Sequence, residues 1–499
     1  MSVEKVKKII IVGGGSSGWM TAAAAAKLLD TNFCEVQVIE SDKIGTVGVG
    51  EATIPQIVLF NKLIGLDEDE FLKRTKGTFK LGIEFKDWGG LNQSYFHGFG
   101  GLGRDMDGEH FHQYWLRLRD LGKESPVDDY SLSGVAYREN KFMRAFDAGD
   151  SPLSGIAHAF HFDAGLYAQY LSEFAQKRGV IRTEGTINKV NQHENGFIKS
   201  VVTEDGVEHE ADLFIDCSGF RGLLIEETLN TGFEDWSHYL PCDTAVTVPS
   251  ENVVDPYPYT RSSAQKAGWQ WRIPLQHRVG NGHVFCSKFM SEDEATSILL
   301  DNLDGPVIGN PRKINFVTGK RKKVWNKNCI AVGLASGFME PLESTSLHLV
   351  QTTISRIFSF FPNKNFDQVD IDEFNRQSDI ELERIRDFII LHYHVTNRND
   401  TDFWNYCRTM EVPDSLTQKI EQYKANGRIY RYETELFNEN SWFEVMNGQG
   451  LRPRGYSPLV DVYSEEKLLS RLNSIKKVIR TSADYMPQHI EYINKYCKS

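Results

Sequence analysis

The stretch Lys8-Ile9-Ile10-Ile11-Val12, running straight into Gly13-Gly14-Gly15-Ser16-Ser17-Gly18, leaves few folds open to this chain. A run of branched aliphatic residues closed by a glycine cluster reads as a buried strand. A helical pattern from Trp19 to Leu29 follows, with the alanine run Ala22 to Ala26, and a second strand ends in Val36-Gln37-Val38-Ile39-Glu40. Strand, glycine turn, helix and strand make one βαβ unit, the module of doubly wound sheets. The turn spells GxGxxG in the context that gives the pattern meaning. Gly13 permits the tight turn, Gly15 lets the backbone approach a pyrophosphate, and Gly18 lets helix and strand pack closely. Ser16 and Ser17 open the helix, whose N-terminus attracts phosphate. Glu40, roughly 20 residues further on, is placed to accept hydrogen bonds from a ribose. A dinucleotide site follows, without a choice between FAD and NAD.

A second match, Gly98-Phe99-Gly100-Gly101-Leu102-Gly103, follows no apolar strand pattern and opens no helical one. It reads as a flexible loop, so no second dinucleotide site is expected. The surrounding region, about 87–151, is rich in glycine, aromatic and charged residues and reads as loops and antiparallel strands. Val201 to Cys217 reads as a strand pair, Cys329 to Val332 as another strand, and Leu347 to Phe361 as a helix. Beyond about Ile371 the pattern is mainly helical.

With 68 acidic against 56 basic side chains, net −12, the surface repels phosphate backbones and anionic lipid, so neither nucleic acid nor membrane is an expected partner. The run Ile9 to Val12 is too short for the apolar core of a signal peptide. Seven cysteines without CxxC spacing argue against a zinc ribbon or a secreted disulfide framework, and a reducing cytoplasm fits them.

Four further segments make the chain resemble the flavin-dependent halogenases of the tryptophan halogenase family: Gly50-Glu51-Ala52-Thr53-Ile54-Pro55, Thr78-Phe79-Lys80-Leu81-Gly82, Gly268-Trp269-Gln270-Trp271-Arg272-Ile273-Pro274 (WxWxIP), and Gly337 to Ser346 around Glu340-Pro341-Leu342-Glu343-Ser344. They stand in family order, and with Ile385 to Phe388 and Ser441 to Gly450 the resemblance runs to about residue 460. It implies an α/β fold: a doubly wound, Rossmann-like FAD-binding domain interleaved with an antiparallel sheet, plus a mainly helical C-terminal region. The boundaries expected are 1–370 for the core, with substrate-side sheet from about 80–160 and 230–310, and 371–499 for helices covering the substrate pocket.

The resemblance also implies a chemistry. Reduced FAD and oxygen oxidise halide to hypohalous acid, which migrates to a separate substrate pocket. Gly50, Glu51 and Ala52 match a strap along the flavin, and Val190 and Leu334 match further flavin contacts. Lys80 matches the lysine that hydrogen-bonds hypohalous acid or is itself halogenated; a dehydrated amine loses proton affinity, which suits it to either role. Glu343 matches the glutamate that stabilises the cationic ring and takes its proton. Ser344 and Thr345 also read as caps for the helix that follows, which makes Glu343 a helix N-terminal charge. Thr345 and Ser346 match the halide site; Ser346 stands where the tryptophan chlorinases usually carry glycine, which leaves chloride, bromide and iodide open. Trp269 and Trp271 lie on one face of a strand and match the wall of the flavin site.

His97 and Phe99 match a pair that packs on indole, with Gly98 in place of the usual proline, which loosens that loop. Tryptophan-specific members carry a Phe-Trp pair before an Asn-Ser dipeptide and adjacent tyrosines upstream. Here Phe437 is followed by Asn438, and Tyr430 and Tyr432 are not adjacent. An indole or other electron-rich aromatic is therefore expected as substrate in place of free tryptophan, with Phe437 in the pocket. The histidine pairs His110/His112, His158/His161 and His392/His394 lack metal-site spacing and read as structural or pocket residues, so no metal is expected. With no NADH site of its own, the chain implies a separate flavin reductase as partner, and a homodimer is compatible with it. Two rival readings stand beside this one: an FAD monooxygenase that hydroxylates an aromatic ring, and a flavin-binding protein without turnover.

Overall fold

The computed structural model describes residues 4–29, 33–44, 50–432 and 435–499. Lys8–Val12 lies inside a six-stranded sheet, hydrogen-bonded in parallel to Glu35–Glu40 on one side and Leu213–Asp216 on the other. Ile181–Glu184 and Cys329–Ala331 extend it in parallel, and Trp325–Asn326 closes one edge antiparallel. Ile10 and Ile11 are fully buried, as a strand covered on both faces requires. The helix Ser16–Leu28 packs its alanine run into this core.

A second sheet of seven strands is mostly antiparallel and runs Arg312–Asn315, Thr244–Ser250, Val279–Phe285, Gly268–Pro274, Thr260–Gln265, Gly82–Lys86, Ser94–Gly98 in space. A small sheet lies beside it, with Ala159–Phe162 between Glu51–Ala52 and Thr78–Lys80. The chain thus enters the second sheet near residue 82, leaves it, and returns at 244, so the two sheets are interleaved in sequence. From 368 onward helices dominate: Gln368–His394, Asp402–Thr409, Asp414–Asn426, Glu439–Gly448, Glu465–Tyr485 and His489–Tyr496. Among the described residues, no helix is long and apolar enough to cross a membrane.

Two sequence expectations change. The region 87–151 holds helices at Phe111–Asp120 and Leu132–Arg138. Phe111, Tyr114, Trp115 and Leu118 are all buried at helical spacing, but the stripe is mostly aromatic and reads poorly against an aliphatic template. The glycine loop from Gly98 also follows a strand after all, Ser94–Gly98, and it is tied down. Phe99 N–H donates to Leu81 O at 2.7 Å, Ser133 Oγ donates to Phe99 O at 2.5 Å, and Gly98 N–H donates to Glu444 Oε2 at 3.2 Å. Gly98 therefore does not loosen the segment.

Candidate active site

A cavity of about 550 Å3 opens where the first strand ends. Gly13, Gly15, Ser16, Ser17, Glu40, Gly50, Glu51, Ala52, Leu334 and Ser346 all line it, with Trp269 and Trp271 on the far wall. Gly13 has φ +105°, and a Cβ there would stand 2.4 Å from Cys217 O, so only glycine makes this turn. Gly18 stands behind the cavity, where a Cβ would meet Gly13 O at 1.9 Å. At Gly15 a Cβ would meet nothing within 4 Å among the described residues; that open space beside the first helical turn is where a pyrophosphate would approach the backbone. Glu40 is held by Arg182 Nε at 2.5 Å and by Trp19 Nε1 at 3.3 Å, on the ribose side of the turn. The cradle therefore fits an adenine dinucleotide. Val190 does not reach it. It sits on the outer hairpin strand Ile187–Gln192 opposite Val201, and the start of that segment, Thr186 and Ile187, lines the cavity instead.

Lys80 ends the strand Thr78–Lys80 and is fully buried. Its Nζ donates to Thr53 O at 2.9 Å, in the strap, and to Ser344 Oγ at 2.7 Å. It also stands 5.3 Å from the centroid of the Phe99 ring. Burial pulls the amine down to about 7, against the opposing pull of Glu343. Ser344 lines the cavity while accepting from Lys80, so a single hydroxyl separates the lysine from the flavin side. This corrects the capping expectation. Ser344 has φ +59°, and Thr345, at the cap position of the helix Ser346–Ser359, makes no side-chain cap bond. The Ser344 hydroxyl is engaged by the lysine instead. Thr345 is buried behind Ser346 and does not line the cavity.

Glu343 is 1% exposed and lies between two imidazoles. His97 Nδ1 is 2.9 Å from Oε2 and His392 Nε2 is 2.8 Å from Oε1. Burial alone would raise this carboxyl, but His97 and then His392 outweigh it and hold it at about 2. Burial works against His97 as well, and Glu343 overcomes it and raises its proton affinity. His392 Nδ1 meets Phe388 O at 2.9 Å, and a carbonyl only accepts, so Nδ1 carries a hydrogen. His392 Nε2 is thereby turned toward Glu343, at ion-pair distance from Oε1. The His392 pairing was invisible in the sequence beyond a nearby histidine pair. Its signal was the helical step from Phe388 to His392.

His97 was expected to face the substrate, yet its ring is engaged with Glu343 and packs at 5.7 Å on Phe388 and 6.1 Å on Phe437. Phe437 in turn stacks on Phe388 at 3.8 Å. Tyr430 and Tyr432 are about half exposed and form no paired clamp. The other histidines of the three pairs are spent on protein partners: His110 on Asp105, His112 on Gly427 O, His158 on Glu68, His161 on Thr78 and Thr260, and His394 on Cys407 O. Among the described residues no cluster of three His, Cys, Asp or Glu is placed to hold a metal.

A family model described as tryptophan halogenase matches residues 8–465. ThaL, a tryptophan 6-halogenase of Streptomyces albogriseolus, is 34% identical over 86% of this chain and 86% of its own. Xcc4156, a flavin-dependent halogenase from Xanthomonas campestris, superposes with a TM-score of 0.96 at 44% identity over 99% of both chains. BrvH, a flavin-dependent halogenase from Brevundimonas sp. BAL3, does so with a TM-score of 0.95 at 44% identity, again over 99% of both.

Proposed function

Since the chain belongs to the tryptophan halogenase family and is a flavin-dependent halogenase, we propose that it passes hypohalous acid from the flavin cavity through Lys80 to an electron-rich, indole-like aromatic ring. The hydroxylase and non-catalytic readings are not favoured by this membership. The observation that carries the proposal is the position of Lys80: fully buried, bonded to Thr53 O in the strap and to Ser344 at the cavity wall, beside Glu343. FAD bound along Gly13 to Gly18, Glu40 and Gly50 to Ala52 supplies, once reduced and met by oxygen, the oxidation of halide. Ser346, on the cavity wall at the N-terminus of a 14-residue helix and with Thr345 buried behind it, offers the halide the positive end of the dipole.

Lys80 suits either of two roles. Protonated, it has a third hydrogen to donate beyond those given to Thr53 O and Ser344. Neutral, both of its hydrogens are taken and its lone pair is free to accept halogen, with water leaving. Glu343 stays ionised across the working pH range and stands ready to stabilise the cationic ring and take its proton. His97 Nδ1 reaches both of its oxygens and His392 Nε2 lies at ion-pair distance from Oε1, and the two rings hold it in place. The C-terminal region walls the substrate side through Phe388 and His392 of the helix Gln368–His394 and through Phe437, just before the helix Glu439–Gly448.

An indole-like substrate is supported by the missing tyrosine pair and by Phe437 stacking on Phe388 in place of a Phe-Trp pair. The partners proposed are a separate flavin reductase, supported by the absence of a helix opening on the Gly98 loop, and a second copy of the chain as a homodimer. Supplying FAD, a flavin reductase, NADH, oxygen and bromide, with indole and L-tryptophan in competition, tests the substrate. Halogenated indole in excess is expected; strong preference for free L-tryptophan would overturn this reading.

A further inference from the structure

Behind the flavin cavity the aromatic side chains form a continuous file. Trp271 and Trp269 line the cavity with ring centroids 6.0 Å apart. Trp269 is 6.5 Å from Trp88, which is not on the cavity wall, and Trp88 is 5.3 Å from Tyr393. All of these rings are buried, and centroids at such spacing bring ring edges into contact. An aromatic core would show as much. Glu340 sets this one apart. It is fully buried, and its Oε2 accepts from both Trp269 Nε1, at 2.8 Å, and Tyr393 OH, at 2.5 Å, while among the described residues Oε1 has no partner. Joining a tryptophan N–H and a tyrosine O–H on one carboxylate oxygen costs burial of an acid that two apolar neighbours would spare. Burial pushes Glu340 up to about 7, which makes it a far better proton acceptor than an ordinary carboxylate.

We propose that Trp271, Trp269, Trp88 and Tyr393, with Glu340 as proton acceptor, form a one-electron relay that withdraws oxidising equivalents from the flavin cavity. The oxidant is light-excited, oxidised flavin. It takes one electron from the adjacent tryptophan, the electron vacancy moves inward, and Tyr393 fills it. In that last step the Tyr393 O–H bond breaks, its electron goes to the tryptophan and its proton to Glu340 Oε2, leaving a neutral tyrosyl radical. Return of the electron from the flavin and of the proton from Glu340 restores every group. Trp404, 5.6 Å from Trp88, is a poorer terminus, since the Arg398 guanidinium sits 4.7 Å over its ring and opposes positive charge there. The relay protects the site from flavin photochemistry. It requires only that flavin fills the cavity, and it stands or falls independently of the halogen-transfer route.

The test is flash photolysis of the FAD-loaded protein with the flavin oxidised and no halide or reductase present. Expected are strongly quenched flavin fluorescence, a transient tryptophan radical, and its conversion to a tyrosyl radical that decays more slowly in deuterium oxide. Tyr393→Phe, with flavin binding verified, is expected to lose the tyrosyl signal and shorten the tryptophan transient; Trp88→Phe is expected to reduce both. Absence of any tyrosyl signal in the unmodified protein would overturn the relay without recourse to a variant. So would identical transients in the unmodified protein and Tyr393→Phe.

Discussion

The flavin cradle and the halogen-transfer centre are built in opposite ways. The cradle is local: Gly13 to Gly18 and Glu40 lie within one βαβ unit, and the backbone does the work. The transfer centre is assembled from a distance. Lys80 comes from a strand edge, Glu343 and Ser344 from a turn before a helix, His97 from the seven-stranded sheet, and His392 from the end of a 27-residue helix. The cradle offers open space to a ligand at Gly15, whereas at the transfer centre Lys80, Ser344, Glu343 and His97 are bonded to one another or to neighbouring backbone. A local cradle can be damaged without unfolding anything else; a centre built on mutual hydrogen bonds loses function when any one member is removed.

Lys80→Ala should break the centre and spare the cradle. Product formation is expected to fall by roughly 10⁴-fold or more, since the group is asked to carry the halogen itself. Flavin affinity, read by fluorescence titration, should be unchanged. Glu343→Gln keeps the shape and removes the charge, and a loss of about 10³-fold in single-turnover halogenation is expected. His392→Phe removes the imidazole 2.8 Å from Glu343 Oε1 and should cost about 10- to 100-fold. It should also move the acidic limb of the rate profile upward, as Glu343 loses a partner that stabilises its ionised form. Gly15→Ala reverses the pattern: melting temperature should hold, because the added methyl meets no protein atom, while flavin binding weakens by about tenfold.

The smallest effect concerns stability. Lys80 has its proton affinity lowered to about 7 in the folded chain, so between that pH and the ordinary lysine range the unfolded chain binds the extra proton. Stability should therefore rise with pH across that window, and the rise should disappear in Lys80→Met. Glu343, held at about 2, contributes stability above the ordinary glutamate range that is lost as pH falls from there towards 2. Thermal melts across pH in the two proteins measure both.

The same contrast explains what was legible in the sequence. The glycine turn, Glu40, the strap and the WxWxIP strand are contiguous patterns, and the structure places them on one cavity. The roles of Lys80 and Glu343 came from family resemblance alone; no spacing rule links residues 80 and 343. His392 had been seen as half of an unremarkable pair, since its partner is 49 residues away in sequence and only packing of the long helix brings it to Glu343 at 2.8 Å. Ser344 was read as a helix cap because serine before an apolar period normally is one; a buried amine that already donates to Thr53 O took the hydroxyl as its second acceptor instead. Val190 was placed on the flavin by resemblance, but Thr186 and Ile187 of that segment line the cavity and Val190 does not.

The most direct measurement is reconstituted turnover of Lys80→Ala beside the unmodified protein, each loaded with FAD and supplied with a flavin reductase, NADH, oxygen, bromide and indole. The account predicts brominated indole from the unmodified protein, none above background from the variant, and equal NADH consumption by both. Brominated indole from Lys80→Ala at the unmodified rate would contradict it.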